Sequence, residues 1–271
     1  MTSTPSTEPP LIYREEGAIA RITLNRPSVL NALTFESYTM LRDIFMGLKE
    51  KRGIRAVVLS GAGRAFCSGG DVKEIIGHLQ GRPDEELLAF TRLTCEVVLL
   101  MREAPQPIIA SINGVAAGAG AVLATASDIR IAADTARIAF LFVKVGLSGA
   151  DMGMTCLLPR LVGQGRATEL LLRGDFIDAR TAEQWGLITR VVPAADLEQE
   201  TAALAESLAA GPSLGLQMTK RLLNRAMGVN LAEILEIEAE AQAVCMRHPD
   251  FKEAHSAFLE KRPPRFGRAS T

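Results

Sequence analysis

The chain has 271 residues, 48% of them apolar and 23% charged, and a formal net charge of −1. That length supports one large domain with a substantial core. The near-neutral charge and the absence of a long basic run speak against nucleic acid or a membrane surface as partner, and no apolar run is long enough to span a bilayer.

Residues 1–10, rich in Ser, Thr and Pro, lack the apolar segment of a signal peptide and read as a mobile tail. Cys67, Cys95, Cys156 and Cys245 are scattered without metal-ligand spacing, so they read as reduced thiols, no metal is expected, and the expected location is cytoplasmic. Ala18, Ala20, Ile22 and Leu24 alternate with Ile19, Arg21 and Thr23, which predicts a half-buried strand ending at Arg26-Pro27. Tyr38, Leu41, Ile44, Phe45 and Leu48 recur at helical spacing behind Thr34, a capping residue. Ala56–Ser60 is an apolar run closed by Gly61 and Gly63, a buried strand. A helix is expected over Val72–Leu79 with Asp71 as cap, and an amphipathic one over Asp84–Glu103, stopped by Pro105 and Pro107. Ile108–Ile112 reads as a strand, followed by a Gly/Ala-rich turn, a helix, and a strand over Asp128–Ala132.

This alternation predicts an α/β fold with mostly parallel pairing. After Ala167 helical signals dominate, broken at Leu187–Val192 and Gly211-Pro212, and residues 196–260 read as almost wholly helical. The predicted division is a tail over 1–10, a core over 11–195, and a helical region over 196–271 that caps the core or builds an assembly surface. No internal repeat is visible in the sequence.

Two glycine-lined turns carry the chemistry, Phe66-Cys-Ser-Gly-Gly-Asp71 and Asn113–Ala124. Each follows a buried strand. One alone is a common tight turn, or a small-residue helix made for close packing. Together they can aim two backbone N–H groups at one point, which is what a thioester oxygen needs as it becomes an enolate. No Gly-Lys-Ser/Thr follows, so neither turn is a nucleotide phosphate loop.

Leu24-Asn-Arg-Pro-Ser-Val-Leu-Asn-Ala-Leu33, Ala65-Phe-Cys-Ser-Gly-Gly-Asp71, Ile112-Asn-Gly-Val-Ala-Ala-Gly-Ala-Gly120 and Ser127-Asp-Ile-Arg-Ile-Ala-Ala133 resemble the crotonase (enoyl-CoA hydratase/isomerase) superfamily. The resemblance runs on through Leu158-Pro-Arg-Leu-Val-Gly163 and Ala257-Phe-Leu-Glu-Lys-Arg262, covering nearly the whole chain. It implies an α/β spiral of repeated ββα units with a C-terminal helical region that builds a homotrimer or a dimer of trimers. It also implies an acyl-CoA substrate, with coenzyme A entering as part of that substrate and no separate cofactor. By position, Gly70 and Ala119 match the two oxyanion-hole residues, with Ala119 in place of a usual glycine. Ser28, Val29, Leu30, Ser68, Gly70, Asp71, Val72 and Lys73 match segments lining the CoA site, and Phe258 and Lys261 match a C-terminal pair that reaches the nucleotide end of CoA, often from a neighbouring subunit.

The resemblance breaks at the acids. Hydratases of this superfamily place two glutamates around one water, and here Val122 and Phe142 stand in those positions. Neither can move a proton. The best remaining acid is Asp151, in the loop where superfamily isomerases carry a carboxylate; its bland reading is a cap on a helix over Met152–Leu161. Glu74 reads as solvent-facing, Cys67 as a buried inert thiol, and Lys144 as a CoA-phosphate contact or a charged face. The expected activity is therefore enoyl-CoA hydratase/isomerase-type chemistry through Asp151 in a dry acyl pocket suited to an aromatic or alicyclic group. Thioester hydrolysis or C–C cleavage, and acyl-CoA binding without catalysis, are the alternatives.

Overall fold

The computed structural model describes residues 9–267. The chain opens with the hairpin β1 (Leu11–Glu16) and β2 (Ile19–Leu24), antiparallel from Leu11↔Leu24 to Glu16↔Ile19. Pro9 and Pro10, counted with the tail in the sequence, are held at the end of β2: Asn25 donates to the Pro10 carbonyl at 2.7 Å and to the Pro9 carbonyl at 3.2 Å. The rest of the expected tail, residues 1–8, lies outside the described residues.

α1 (Phe35–Leu48) starts where expected, with the Thr34 hydroxyl accepting from Ser37 N and the Ser37 hydroxyl accepting from Thr34 N. Three strand–strand–helix turns then follow. The first is β3 (Ala56–Gly61), β4 (Ala65–Cys67), a short π turn over Val72–Ile76 running into α2 (Gly77–Leu79), and α3 (Asp84–Glu103). The second is β5 (Ile108–Ile112), β6 (Val115–Ala117) and α4 (Ala119–Ala126). The third is β7 (Ile129–Ala133), β8 (Arg137–Ala139), and the helices α5 (Met154–Val162) and α6 (Gln164–Arg173). β9 (Ile177–Asp178), α7 (Ala179–Gln184) and β10 (Arg190–Val192) close the core. α8 (Leu197–Ala210), α9 (Ser213–Arg225), α10 (Leu231–Arg247) and α11 (Pro249–Leu259) form the C-terminal region.

The long strands make a six-stranded sheet in the order β1-β2-β3-β5-β7-β10, and the short ones a four-stranded sheet in the order β4-β6-β8-β9. All pairings are parallel except β1–β2 and β8–β9. Parallel neighbours need a crossover, and each turn of the chain supplies one by way of the second sheet and a helix. The repeat is one of backbone path, not of side chains, which is why no sequence repeat reveals it.

Alternation sorts the large sheet's side chains to its two faces. Val57, Leu59, Ile108, Ala110 and Ile112 join the main core with α1, α3 and α4. Ala56, Val58, Ile109 and Ile131 face the other way, covered by Leu197, Ala205 and Ala209 of α8. A parallel sheet covered on both faces reads as continuous apolar runs, as Ile108–Ile112 does. The Asp128–Ala132 expectation shifts by one residue because the Asp128 carboxylate turns back to accept from Ile108 N at 2.8 Å. Buried Arg130, in the middle of β7, donates to the carbonyls of Leu187, Thr125 and Ser127, and burial pushes its pKa down to about 10.

Candidate active site

The segment between β2 and α1 is a strap laid across the mouth of the second sheet. Pro27–Val29 forms one helical turn, and Leu30 and Asn31 follow with φ of 54° and 57°. Left-handed backbone is tolerated by Asn but costly for Leu, so the surroundings must impose it. Asn31 does much of this. Its buried side chain accepts from Arg26 N at 2.9 Å and donates to the carbonyls of Ala62 at 2.9 Å and Ala65 at 2.8 Å. Ser68 N then donates to the Leu30 carbonyl at 2.9 Å, and the Ser68 hydroxyl to the Val29 carbonyl at 3.3 Å. Leu33 N donates to the Gly69 carbonyl and Asp71 N to the Leu33 carbonyl, both at 2.8 Å. Ser28–Leu30 and Ser68–Lys73, far apart in sequence, are thereby one surface.

Asp71 holds that surface at its far end. Its carboxylate accepts from Lys73 N at 3.0 Å, Glu74 N at 3.1 Å and the Arg26 guanidinium at 2.9 Å. Burial alone would raise its pKa, but the hydrogen bonds from Glu74 N, Arg26 and Lys73 N outweigh it and hold the carboxyl below the usual range. The helix expected over Val72–Leu79 is a π turn plus a single α turn, so Asp71 caps a wider loop of backbone than a regular helix would offer. Val72 is 65% exposed, and Lys73 and Glu74 also point outward, Glu74 3.8 Å from Arg26.

The two glycine turns touch. Gly69 has φ 105°, and a Cβ there would lie 3.1 Å from the Ala117 carbonyl oxygen and 3.6 Å from Ala119 N. One turn further into α4, a Cβ on Gly120 would sit 2.3 Å from the Cys67 carbonyl oxygen. Both positions demand glycine because backbone packs on backbone. Ala119 is the first residue of α4 and has no positive φ, so alanine fits there without strain. Among the described residues neither Gly70 N nor Ala119 N donates to a protein acceptor. Two free donors therefore stand at adjoining turns, one of them at a helix N-terminus.

Cys67, between them, is sealed; burial pushes its thiol up to about 12, against the Gly69 N–H bonded to its sulfur at 3.4 Å. It is no nucleophile at neutral pH. Val122 and Phe142 are buried in the same core cluster as Met152, the neighbour of Asp151. Asp151 itself is half-buried, and its carboxylate accepts one hydrogen bond, from Met152 N at 2.8 Å. The cap reading is not what is built: α5 begins at Met154, its N-cap is Gly153, and no side chain caps it. Met152 adopts φ 47°, an unfavourable angle for that residue, directly beside the acid. Burial raises the Asp151 pKa, opposed in part by the Met152 N–H. Lys144 is exposed and ion-paired with Asp175 at 3.0 Å, which leaves the charged-face reading. Phe258 stands 82% exposed at the end of α11, with Lys261 just beyond it.

The family model for enoyl-CoA hydratase/isomerase matches residues 14–269. The chain belongs to the enoyl-CoA hydratase/isomerase family. Within this family it is 38% identical over 94% of its length to the 1,2-epoxyphenylacetyl-CoA isomerase of Escherichia coli K12, covering 97% of that protein. Among solved structures it superposes on a Streptomyces coelicolor A3(2) protein provisionally named enoyl-CoA hydratase with a TM-score of 0.94 and 47% identity, covering 98% of each chain. The enoyl-CoA hydratase of Bacillus anthracis superposes with a TM-score of 0.89 and 32% identity, covering 95% of this chain and 98% of that one. The spiral of ββα turns is thus a family fold, and the chain is an acyl-CoA-processing enzyme of hydratase/isomerase type. Sequence reasoning did not single out Arg26 or Asn31 as organisers of the site, although both lie inside the family motif; their role depends on the left-handed turn at Leu30 and Asn31, which no composition signal marks.

Proposed function

We propose that this enzyme moves a proton between carbons of an acyl-CoA thioester, using Asp151 as the single acid/base and the N–H groups of Gly70 and Ala119 as an oxyanion hole. The observation that carries the reading is the state of Asp151: half-buried, raised in pKa, and not used to cap a helix. A carboxyl of this kind suits a proton shuttle near neutral pH. The thioester oxygen accepts from the two N–H groups, the Asp151 carboxylate removes a proton from carbon, and the negative charge collects on that oxygen as an enolate. The protonated Asp151 returns the proton to a different carbon, so the double bond shifts and no atom is gained or lost. Each donor is worth roughly 3 kcal/mol of transition-state stabilisation.

Ser28–Leu30 and Ser68–Lys73 would hold the CoA portion, completed by Phe258 and Lys261 from a neighbouring subunit of a homotrimer or dimer of trimers in the cytoplasm. Buried Val122 and Phe142 leave no second acid for the ordinary two-glutamate hydration and make the acyl pocket dry. The Escherichia coli relative named for isomerisation of a phenylacetyl-CoA derivative supports both an aromatic acyl group and isomerisation.

The test is a panel of enoyl- and aryl-CoA esters read by mass spectrometry and ultraviolet absorbance. A moved double bond at constant mass, lost in Asp151→Asn with ester binding retained, is the expected result. A gain of one water would assign hydration, free CoA would assign hydrolysis or C–C cleavage, and silence with tight binding would assign a non-catalytic acyl-CoA binder.

A further inference from the structure

Tyr38 lies on α1 at a helical core position, and its residue is 3% exposed. Its ring is wedged edge-on against Phe90, centroids 5.7 Å apart, with Phe35 on the other side of Phe90 at 5.0 Å. The hydroxyl at the end of that ring makes no hydrogen bond among the described residues. A buried hydroxyl without a partner is costly and rare. Its oxygen is also not one of the sealed, partnerless side-chain atoms of the structure, so it opens onto free space from inside the core.

Two neighbours locate that space. The charges of Cys67 and Asp151 both bear on the Tyr38 phenol. Cys67 leads into Gly69 and Gly70, and its carbonyl abuts Gly120 of α4. The hydroxyl therefore sits between the paired glycine turns and Asp151, where an acyl group bound through its thioester oxygen would place its first carbons. With Val122 and Phe142 in the acid positions, the pocket has few polar atoms to offer, and this is one that no protein group satisfies.

We propose that Tyr38 is a specificity-determining residue whose hydroxyl pairs with an oxygen atom borne on C2 or C3 of the acyl group, so that the preferred substrates are oxygenated acyl-CoA esters (hydroxy, oxo or epoxide) rather than plain alkenoyl esters. The inference rests on the proposed placement of the acyl pocket between the oxyanion donors and Asp151, but it needs no chemistry from Asp151. A site that leaves a polar group unpaired rejects the ligand lacking the matching atom more sharply than a greasy pocket rejects an added one.

The experiment is calorimetric binding to the full chain with matched saturated esters. The pairs are phenylacetyl-CoA against its 2-hydroxy derivative, and 3-phenylpropanoyl-CoA against its 3-hydroxy derivative. In at least one pair the wild-type protein should bind the oxygenated ester about tenfold tighter. Tyr38→Phe, which keeps the ring against Phe90, should bring that ratio close to one, and Tyr38→Met provides a second hydroxyl-free variant if the first folds poorly. No preference in either pair with the wild-type protein, or a preference that survives loss of the hydroxyl, overturns the proposal. Failure of the Asp151 reading is seen separately, as turnover that survives Asp151→Asn, and leaves these binding ratios where they are.

Discussion

Ala119 contributes a backbone N–H, and its place as the first residue of α4 makes that contribution separable from the fold. Proline is well tolerated at this helical position and has no N–H. Ala119→Pro should therefore retain the circular dichroism and melting behaviour of the parent while turnover falls by about 10²–10³. Unchanged turnover would remove Ala119 from the oxyanion hole. Asp151 makes a prediction with a sign. Burial disfavours its carboxylate, so it holds its proton to higher pH than an ordinary aspartate at about 3.9. A base must be ionised in the free enzyme, so kcat/KM should climb with pH through a pKa above that range and level off beyond it. The same raised pKa means that ionisation costs stability, present in full at acid pH and lost as pH rises through the folded-state value. Asp151→Asn should accordingly abolish the acid limb along with turnover, and should raise Tm at neutral pH but not at acid pH. An acid limb that survives the substitution belongs to another group.

At the scale of elements, the strap shows how the site is held. Asn31 joins the strap to the β3–β4 connection through three hydrogen bonds, and Arg26 joins it to Asp71 and to the Ala32 carbonyl at 2.6 Å. These bonds keep Leu30 left-handed and bring Ser28–Leu30 beside Ser68–Lys73. Asn31→Ala would leave three buried backbone groups unpaired. It should destabilise the protein by about 2–4 kcal/mol in denaturant titration and weaken CoA-ester binding in parallel. Loss of stability with binding intact would show that the strap does not carry the CoA site. The three ββα turns place β4, β6 and the start of α4 side by side, so the glycine turns after β4 and β6 meet although about fifty residues separate them.

For the whole molecule, the C-terminal helices are both bound and unfinished. α9 is clamped to the core by Lys220, which is buried and donates to the Met101 carbonyl at 3.0 Å and the Gln106 carbonyl at 2.9 Å while pairing with Asp128 at 2.8 Å. Burial lowers the Lys220 pKa, and Asp128 opposes that shift. Asn224 adds a hydrogen bond to the Arg102 carbonyl at 2.6 Å. The region is therefore part of the domain rather than an appendage. Yet Leu223, Leu231, Phe258 and Leu259 are between 66% and 82% exposed along it. Large apolar side chains grouped in this way favour burial against another subunit. Sedimentation should give three or six times the 29.1 kDa chain mass, and a stable monomer would contradict the proposed assembly.

Local pattern accounts for what could be read early. Apolar period and proline stops place α3 over Asp84–Glu103, capping chemistry starts α1 at Thr34, and a continuous apolar run marks β5, because each depends on neighbours within a few residues. The two glycine turns and the missing glutamates were legible as residues in a motif. Their meaning was not, since the meeting of Gly69 with Ala119 and of Gly120 with Cys67 depends on parallel pairing between distant strands. The short strands β4, β6 and β8 carry too few residues to show a period. Asp151 as cap or free acid, and Tyr38 as filler or open hydroxyl, are distinctions of where one side chain ends up among elements far apart in the chain. Period and propensity report which face is buried; tertiary packing alone decides what a buried polar atom is left facing.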